Sequence, residues 1–146
     1  MTPPQADSEW IQVEDLGPYV ELFGPVYMRM LDARTSAGEI IRFGFHVQPK
    51  HCNLSGGCSG GMLASFLDIA LARTGILSRG YEHRTPTISL QMDFLQPARV
   101  DEWIESRAKL IHSSQRMGFC DATLVGPRGP VMRGSGIFRI TSGPYM

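Results

Sequence analysis

The chain is poor in cysteine and in charge and carries no long uninterrupted apolar run, and each shortage removes a class of protein. Its three cysteines, Cys52, Cys58 and Cys120, cannot all pair with one another, and their spacing is not that of a disulfide framework. Reduced thiols are expected. No apolar run approaches the roughly 20 residues of a spanning helix, and the opening MTPPQADSEW lacks a basic stretch followed by an apolar one, so a cytoplasmic setting is expected. Charged residues make up 19%, split into 14 basic and 14 acidic with no basic block, which argues against nucleic acid and against a membrane surface as partner. A small-molecule ligand fits better. Neither a Walker-type phosphate loop nor a G-x-S-x-G nucleophile turn occurs. His51, Cys52 and Cys58 lack a fourth ligand at a recognisable zinc spacing, so no metal is expected. Cys58 has a position that favours a reactive thiol, but no His is placed by sequence to activate it.

What the chain does have is glycine, and much of it falls in one place. Residues 51–72, HCNLSGGCSGGMLASFLDIALA, run from a loop containing Gly56, Gly57, Gly60 and Gly61 straight into an apolar helix with a single acid, Asp68. The glycines let backbone N–H groups approach a ligand, and the first N–H groups of a helix have no intrahelical acceptors. An oxyanion can be held there. Asp68 has Ala64, Ser65, Leu71 and Ala72 as its helical neighbours, none of which can form a salt bridge with it. Gly61, Ala64, Ser65, Asp68 and Ala72 share one stripe of small residues, while Leu63, Phe66, Leu67, Ala70 and Leu71 form a broad apolar face. The carboxylate therefore faces either a packed neighbour or a substrate.

At 146 residues one core is expected, with residues 1–15 as a loose tail and 16–146 as a single domain. A short helix begins at Pro18 and stops at Gly24-Pro25. Residues 26–31 and 39–47 read as a hairpin around a turn at 36–38. After the long helix, which fades around 75–80, come four strands. In the first, Ile88, Leu90, Met92 and Phe94 alternate with Thr87, Ser89, Gln91 and Asp93, giving one buried and one polar face. Residues 103–111, 118–125 and 131–140 continue the pattern with short connections, so the pairing is antiparallel. The expected class is α+β: a six-stranded antiparallel sheet around one long helix.

That order, together with N-x-x-G-x-x-S-G-G-x-x-x-x-x-x-D at positions 53 to 68, resembles the hotdog fold and, within it, the PaaI-like group of acyl-CoA thioesterases. Asp93-Phe94-Leu95-Gln96-Pro97-Ala98 is similar to the group's Phe-Leu-x-Pro-Ala, and Gly24-Pro25-Val26-Tyr27 to its N-terminal strand entry. The resemblance implies hydrolysis of an acyl-CoA thioester, with no cofactor beyond the coenzyme A of the substrate, in a homodimer at least and by extension a homotetramer. It makes Asp68 the catalytic carboxylate, as nucleophile or as general base on water. The Gly60 N–H stabilises the oxyanion, Asn53 holds the nucleophile or water, and Thr87 comes from the partner subunit. Gly61 is implied to bind substrate.

One departure stands out: Ser59 occupies the position before the glycine pair where the group usually carries His. Serine keeps a donor and an acceptor but is shorter and does not titrate near neutrality. The alternative that follows is a non-catalytic acyl-CoA binder. Hydratases and dehydratases of the same fold need an acid–base His that is not suitably placed here, His46 and His51 reading as structural. Arg84 and Arg116 are the cations expected to meet coenzyme A phosphates, and Trp10, Phe23, Tyr27 and Met62 are expected to shape the acyl pocket.

Overall fold

The structure, a computed structural model, describes residues 9–32, 34–79 and 85–141. In chain order its elements are β1 (Ile11–Gln12), α1 (Pro18–Glu21), β2 (Tyr27–Met30), β3 (Ile41–His46), α2 (Gly60–Ser78), β4 (Thr87–Phe94), β5 (Trp103–Ser113), β6 (Met117–Gly126) and β7 (Gly129–Arg139). The strands form one antiparallel sheet in the order β1-β2-β3-β5-β6-β7-β4. Seven strands replace the expected six because the expected tail is not all tail. Ile11 and Gln12 pair with Met28 and Tyr27, and the buried Trp10 packs edge-on against Trp103 at 5.0 Å. A two-residue strand is too short to show a period in sequence.

The helix α2 lies against the sheet through its broad apolar face. Phe66, Leu67, Ala70 and Leu71 are fully buried, each large side chain contributing about 1.5–3 kcal/mol on burial. By length and composition this 19-residue helix is apolar enough to cross a membrane, contrary to the expectation from apolar runs, but its apolar face is the one the sheet covers. Its far end is tied down by Arg79, whose guanidinium donates to the Ser114 carbonyl in the β5–β6 turn. The approach to β7 is close because Gly134 carries no side chain: a Cβ there would lie 2.5 Å from Leu67 Cδ2 and 2.8 Å from the Gln91 carbonyl oxygen.

In β4 the simple alternation fails at its first residues, for a definite reason. Thr87 is opposite Phe138 and Ser89 is opposite Ile137, so Ile88 is an extra residue with no partner across the ladder, a β-bulge. Leu90 and Met92 pack against the core as expected, but Ile88 is 54% exposed and Thr87, also exposed, lies across the ladder from the buried Phe138. Phe94, also expected to be buried, is 55% exposed and lays its ring over the start of α2, where a Cβ on Gly60 would come within 3.2 Å of it. Among the described residues, β4 is paired on one edge only, with Ile88, Phe94 and Leu95 exposed beside the open edge.

Candidate active site

The loop leading into α2 is built by Asn53. Its Oδ1 accepts from the Ser55 N–H at 2.9 Å and the Gly57 N–H at 3.3 Å, and the Asn53 N–H donates to the Gly57 carbonyl at 2.8 Å. This is the side-chain turn that Asn commonly makes. The loop is anchored at both ends, by Cys58 N–H to the Ala98 carbonyl at 2.8 Å and Ser59 N–H to the His51 carbonyl at 2.7 Å. His51 is buried and fully engaged: Nδ1 accepts from the Gln48 N–H at 2.9 Å, which makes Nε2 the donor to the Phe23 carbonyl. Burial also holds its pKa below the ordinary histidine value, so the ring stays neutral. It is a structural histidine, with neither ring nitrogen left for a metal. His46 stacks edge-on against Trp103 at 4.9 Å.

Ser59 is the N-cap of α2. Its carbonyl accepts from Met62 N–H at 3.0 Å and Leu63 N–H at 3.1 Å, while its hydroxyl makes no capping bond. The N–H groups of Gly60 and Gly61 are the helix donors that no earlier turn can satisfy. Cys58, one residue before, gains nothing from this position, because burial pushes its thiol up to about 12 and that of Cys120 to about 11. Native-state alkylation at about pH 8 should therefore modify Cys52, the half-buried one, and leave Cys58 and Cys120 until the protein is unfolded. Mass spectrometry of the labelled peptides checks this; rapid native labelling of Cys58 would contradict it.

Two turns along, Asp68 is reached by the Thr87 hydroxyl, which donates to Oδ1 at 2.7 Å. This bond places Thr87 beside Asp68 on the same chain. The bulge at Ile88 is the cause, since it turns Thr87 toward the helix. Asp68 lies eight positions beyond Gly60 along α2, about 12 Å at 1.5 Å per residue. The structure thus groups Asp68 with Thr87, and Asn53 and Ser59 with Gly60 and Gly61, at separate places along the chain.

Asp68 and Thr87 stand between two open clefts. One, of about 490 Å³, has walls of Leu16, Tyr19, Val20, Ala64 and Leu90. The other, of about 310 Å³, runs past Ile69, Ala72, Ile76 and Pro86 to Arg73. A larger concavity of about 710 Å³ lies on the outer sheet face, but its charges are matched there, Arg133 to Asp93 at 3.0 Å and Lys109 across the ladder from Asp121. Asp68 lies away from it. Of the expected acyl-pocket residues, none lines either cleft beside Asp68: Phe23 and Met62 are in the core, and Trp10 and Tyr27 pack on Trp103. Arg116 sits exposed in the β5–β6 turn and lines neither cleft; Arg84 lies outside the described residues. Tyr19 and Arg73, which no sequence motif marked, are the residues found there instead.

The thioesterase superfamily profile matches residues 55–131, from the Ser55 turn into β7. A Pseudomonas aeruginosa protein named "Putative esterase PA0474" is 32% identical over 123 residues, covering 84% of this chain and 88% of its own length. The Escherichia coli PaaI protein, from the phenylacetic acid degradation operon, superposes with a TM-score of 0.66 at 22% identity, over 73% of this chain and 75% of PaaI. Pseudomonas aeruginosa PA5202 gives 0.73 at 18% identity, over 86% and 95% of the two chains. A Streptococcus pneumoniae hypothetical thioesterase, solved with coenzyme A, gives 0.63 at 17%, over 72% and 83%. At such identities the solved structures establish the fold, the hotdog arrangement of one long helix against an antiparallel sheet. The chain belongs to the thioesterase superfamily, and its class is that of a hydrolase.

Proposed function

We propose that the protein hydrolyses an acyl-coenzyme A thioester at Asp68. The observation that carries this reading is the Asp68 carboxylate itself, held by Thr87 on the small-residue face of α2 between two open clefts. With Oδ1 engaged by Thr87, Oδ2 is the oxygen free to attack the thioester carbonyl or to take a proton from an attacking water. If Oδ2 attacks, it displaces the coenzyme A thiolate to give a mixed anhydride that water then cleaves to the free acid. If it acts as base, water forms the C–O bond as the C–S bond breaks, and the proton taken by Oδ2 passes to the departing thiolate. Negative charge grows on the carbonyl oxygen only as attack proceeds, so a donor aimed there acts on the transition state. The Gly60 N–H, with Gly61 beside it, is the donor suited to that role. Since Gly60 and Asp68 of one chain are about 12 Å apart by helical rise, a complete site takes its donor half from one copy and its acid half from another. The open edge of β4, with Ile88, Phe94 and Leu95 exposed, supports edge-to-edge pairing of copies. Arg73 supplies a cation in the second cleft, suited to the anionic end of coenzyme A.

A panel of acyl-coenzyme A substrates with thiol release as readout tests the reading. Turnover of at least one is expected. Folded protein that turns over none would overturn hydrolysis. Calorimetric binding of an acyl-coenzyme A without product would then favour the binder, a reading supported by Ser59 in place of the group's usual His.

A further inference from the structure

We infer that Tyr19 is the acyl-selecting wall of this site and that the acyl group it admits is apolar and uncharged; the inference rests on the hydrolase reading above. Tyr19 is held at both ends. Its hydroxyl lies 2.9 Å from Ser65 Oγ, and because the Ser65 proton already goes to the Gly61 carbonyl at 2.9 Å, Tyr19 is the donor. Its ring stands edge-on against Phe23, centroids 5.3 Å apart at 76°. Yet the residue is 61% exposed. A tyrosine fixed by a hydrogen bond and a ring contact, with its remaining surface toward a cleft, is a preorganised contact surface that loses little freedom when a ligand covers it.

The cleft it borders is of ligand size, and its floor is Asp68 and Thr87. The walls are Leu16, Val20, Ala64, Ile69 and Leu90 with the hydroxyl of Ser65, and among the described residues Asp68 is the only charged group lining it. A second carboxylate on the acyl chain would lose its water beside apolar side chains and face a like charge, whereas an alkyl or aryl chain would gain contact with the Tyr19 ring. The cationic cleft lies on the other side of Asp68, at Arg73. The two clefts therefore divide the substrate, with the acyl chain toward α1 and the coenzyme A toward Arg73.

Non-hydrolysable thioethers test this without relying on turnover. S-hexyl-coenzyme A should bind the full-length protein more tightly than its ω-carboxylated counterpart. Tyr19→Ala should weaken S-hexyl binding about tenfold and leave the carboxylated analogue within about twofold, so that the preference collapses. Tyr19→Phe, which keeps the ring and loses the Ser65 bond, should weaken it by only about two- to threefold. Tyr19→Leu keeps an apolar wall if the alanine variant fails to fold, and should fall between the other two. An unchanged preference in Tyr19→Ala, or no preference in the wild type, overturns the inference. Absence of hydrolysis by a wild type that still prefers S-hexyl-coenzyme A would overturn the hydrolase reading and leave the role of Tyr19 supported.

Discussion

Asp68→Asn should lower kcat by about 10²- to 10⁴-fold while leaving the protein folded. Asparagine is nearly isosteric with aspartate, and its side-chain oxygen can still accept the Thr87 hydroxyl that now reaches Oδ1 at 2.7 Å. The helix stripe and both clefts keep their shape. What disappears is the negative charge, and with it both roles open to this residue, since an amide neither attacks a thioester nor removes a proton from water. The rise in barrier should fall on kcat with KM little changed if, as proposed, the neighbouring clefts and not the acid hold the substrate. Thiol-release kinetics measure both parameters, and thermal unfolding should show a midpoint close to that of the wild type. Activity within tenfold of the wild type would remove Asp68 from the chemistry. Single turnover in ¹⁸O-water then tests the nucleophilic role: label found in the Asp68 side chain marks it as the nucleophile.

Gly134→Ala should be the most damaging small substitution in the sheet, lowering stability by about 2–3 kcal/mol. The added carbon would stand 2.5 Å from Leu67 Cδ2 and 2.8 Å from the Gln91 carbonyl oxygen. Neither can yield cheaply. Leu67 is fully buried among the residues that join α2 to the sheet, and Gln91 belongs to the backbone ladder that holds β4 to β7. Relief would require α2 to lift or β4 to separate, and β4 carries Thr87. For a domain of this size the loss corresponds to a drop in Tm on the order of 5–10 °C. Differential scanning fluorimetry measures it; a change under about 2 °C would mean that the sheet and helix can part at this point without cost.

Much of the fold was legible because its larger elements follow strong periods. The long helix declares itself through a broad apolar face, and four of the strands through alternation and short turns. Asp68 was legible for a complementary reason, as a lone acid on a stripe of small residues. The relation between Asp68 and Thr87 was not, since it depends on a single unpaired residue that leaves composition and alternation intact in the sequence. β1 escaped because two residues carry no period, and its existence rests on Trp10 finding Trp103 far along the chain. The acyl-side residues were missed on similar grounds. Size and aromaticity pointed to Trp10, Phe23, Tyr27 and Met62, whereas the cleft is bordered by Tyr19, whose position depends on a hydrogen bond across α1 and α2.

The bulge at Ile88 divides β4 into two lengths that answer to different constraints. Beyond it, Leu90 and Met92 are committed to the core. Before it, Thr87 is offset by one position, paired across the ladder with Phe138, and turns its hydroxyl to the acid and the cleft. Thr87 and Leu90 share the cleft, whereas Met92, further along, packs against the core away from it, so a change at Thr87 need not disturb the packing of Met92. Such a strand can exchange the group beside its carboxylate while much of its scaffold stays as it is, so under the proposed hydrolase reading position 87 is a point at which one architecture could be tuned to different substrates.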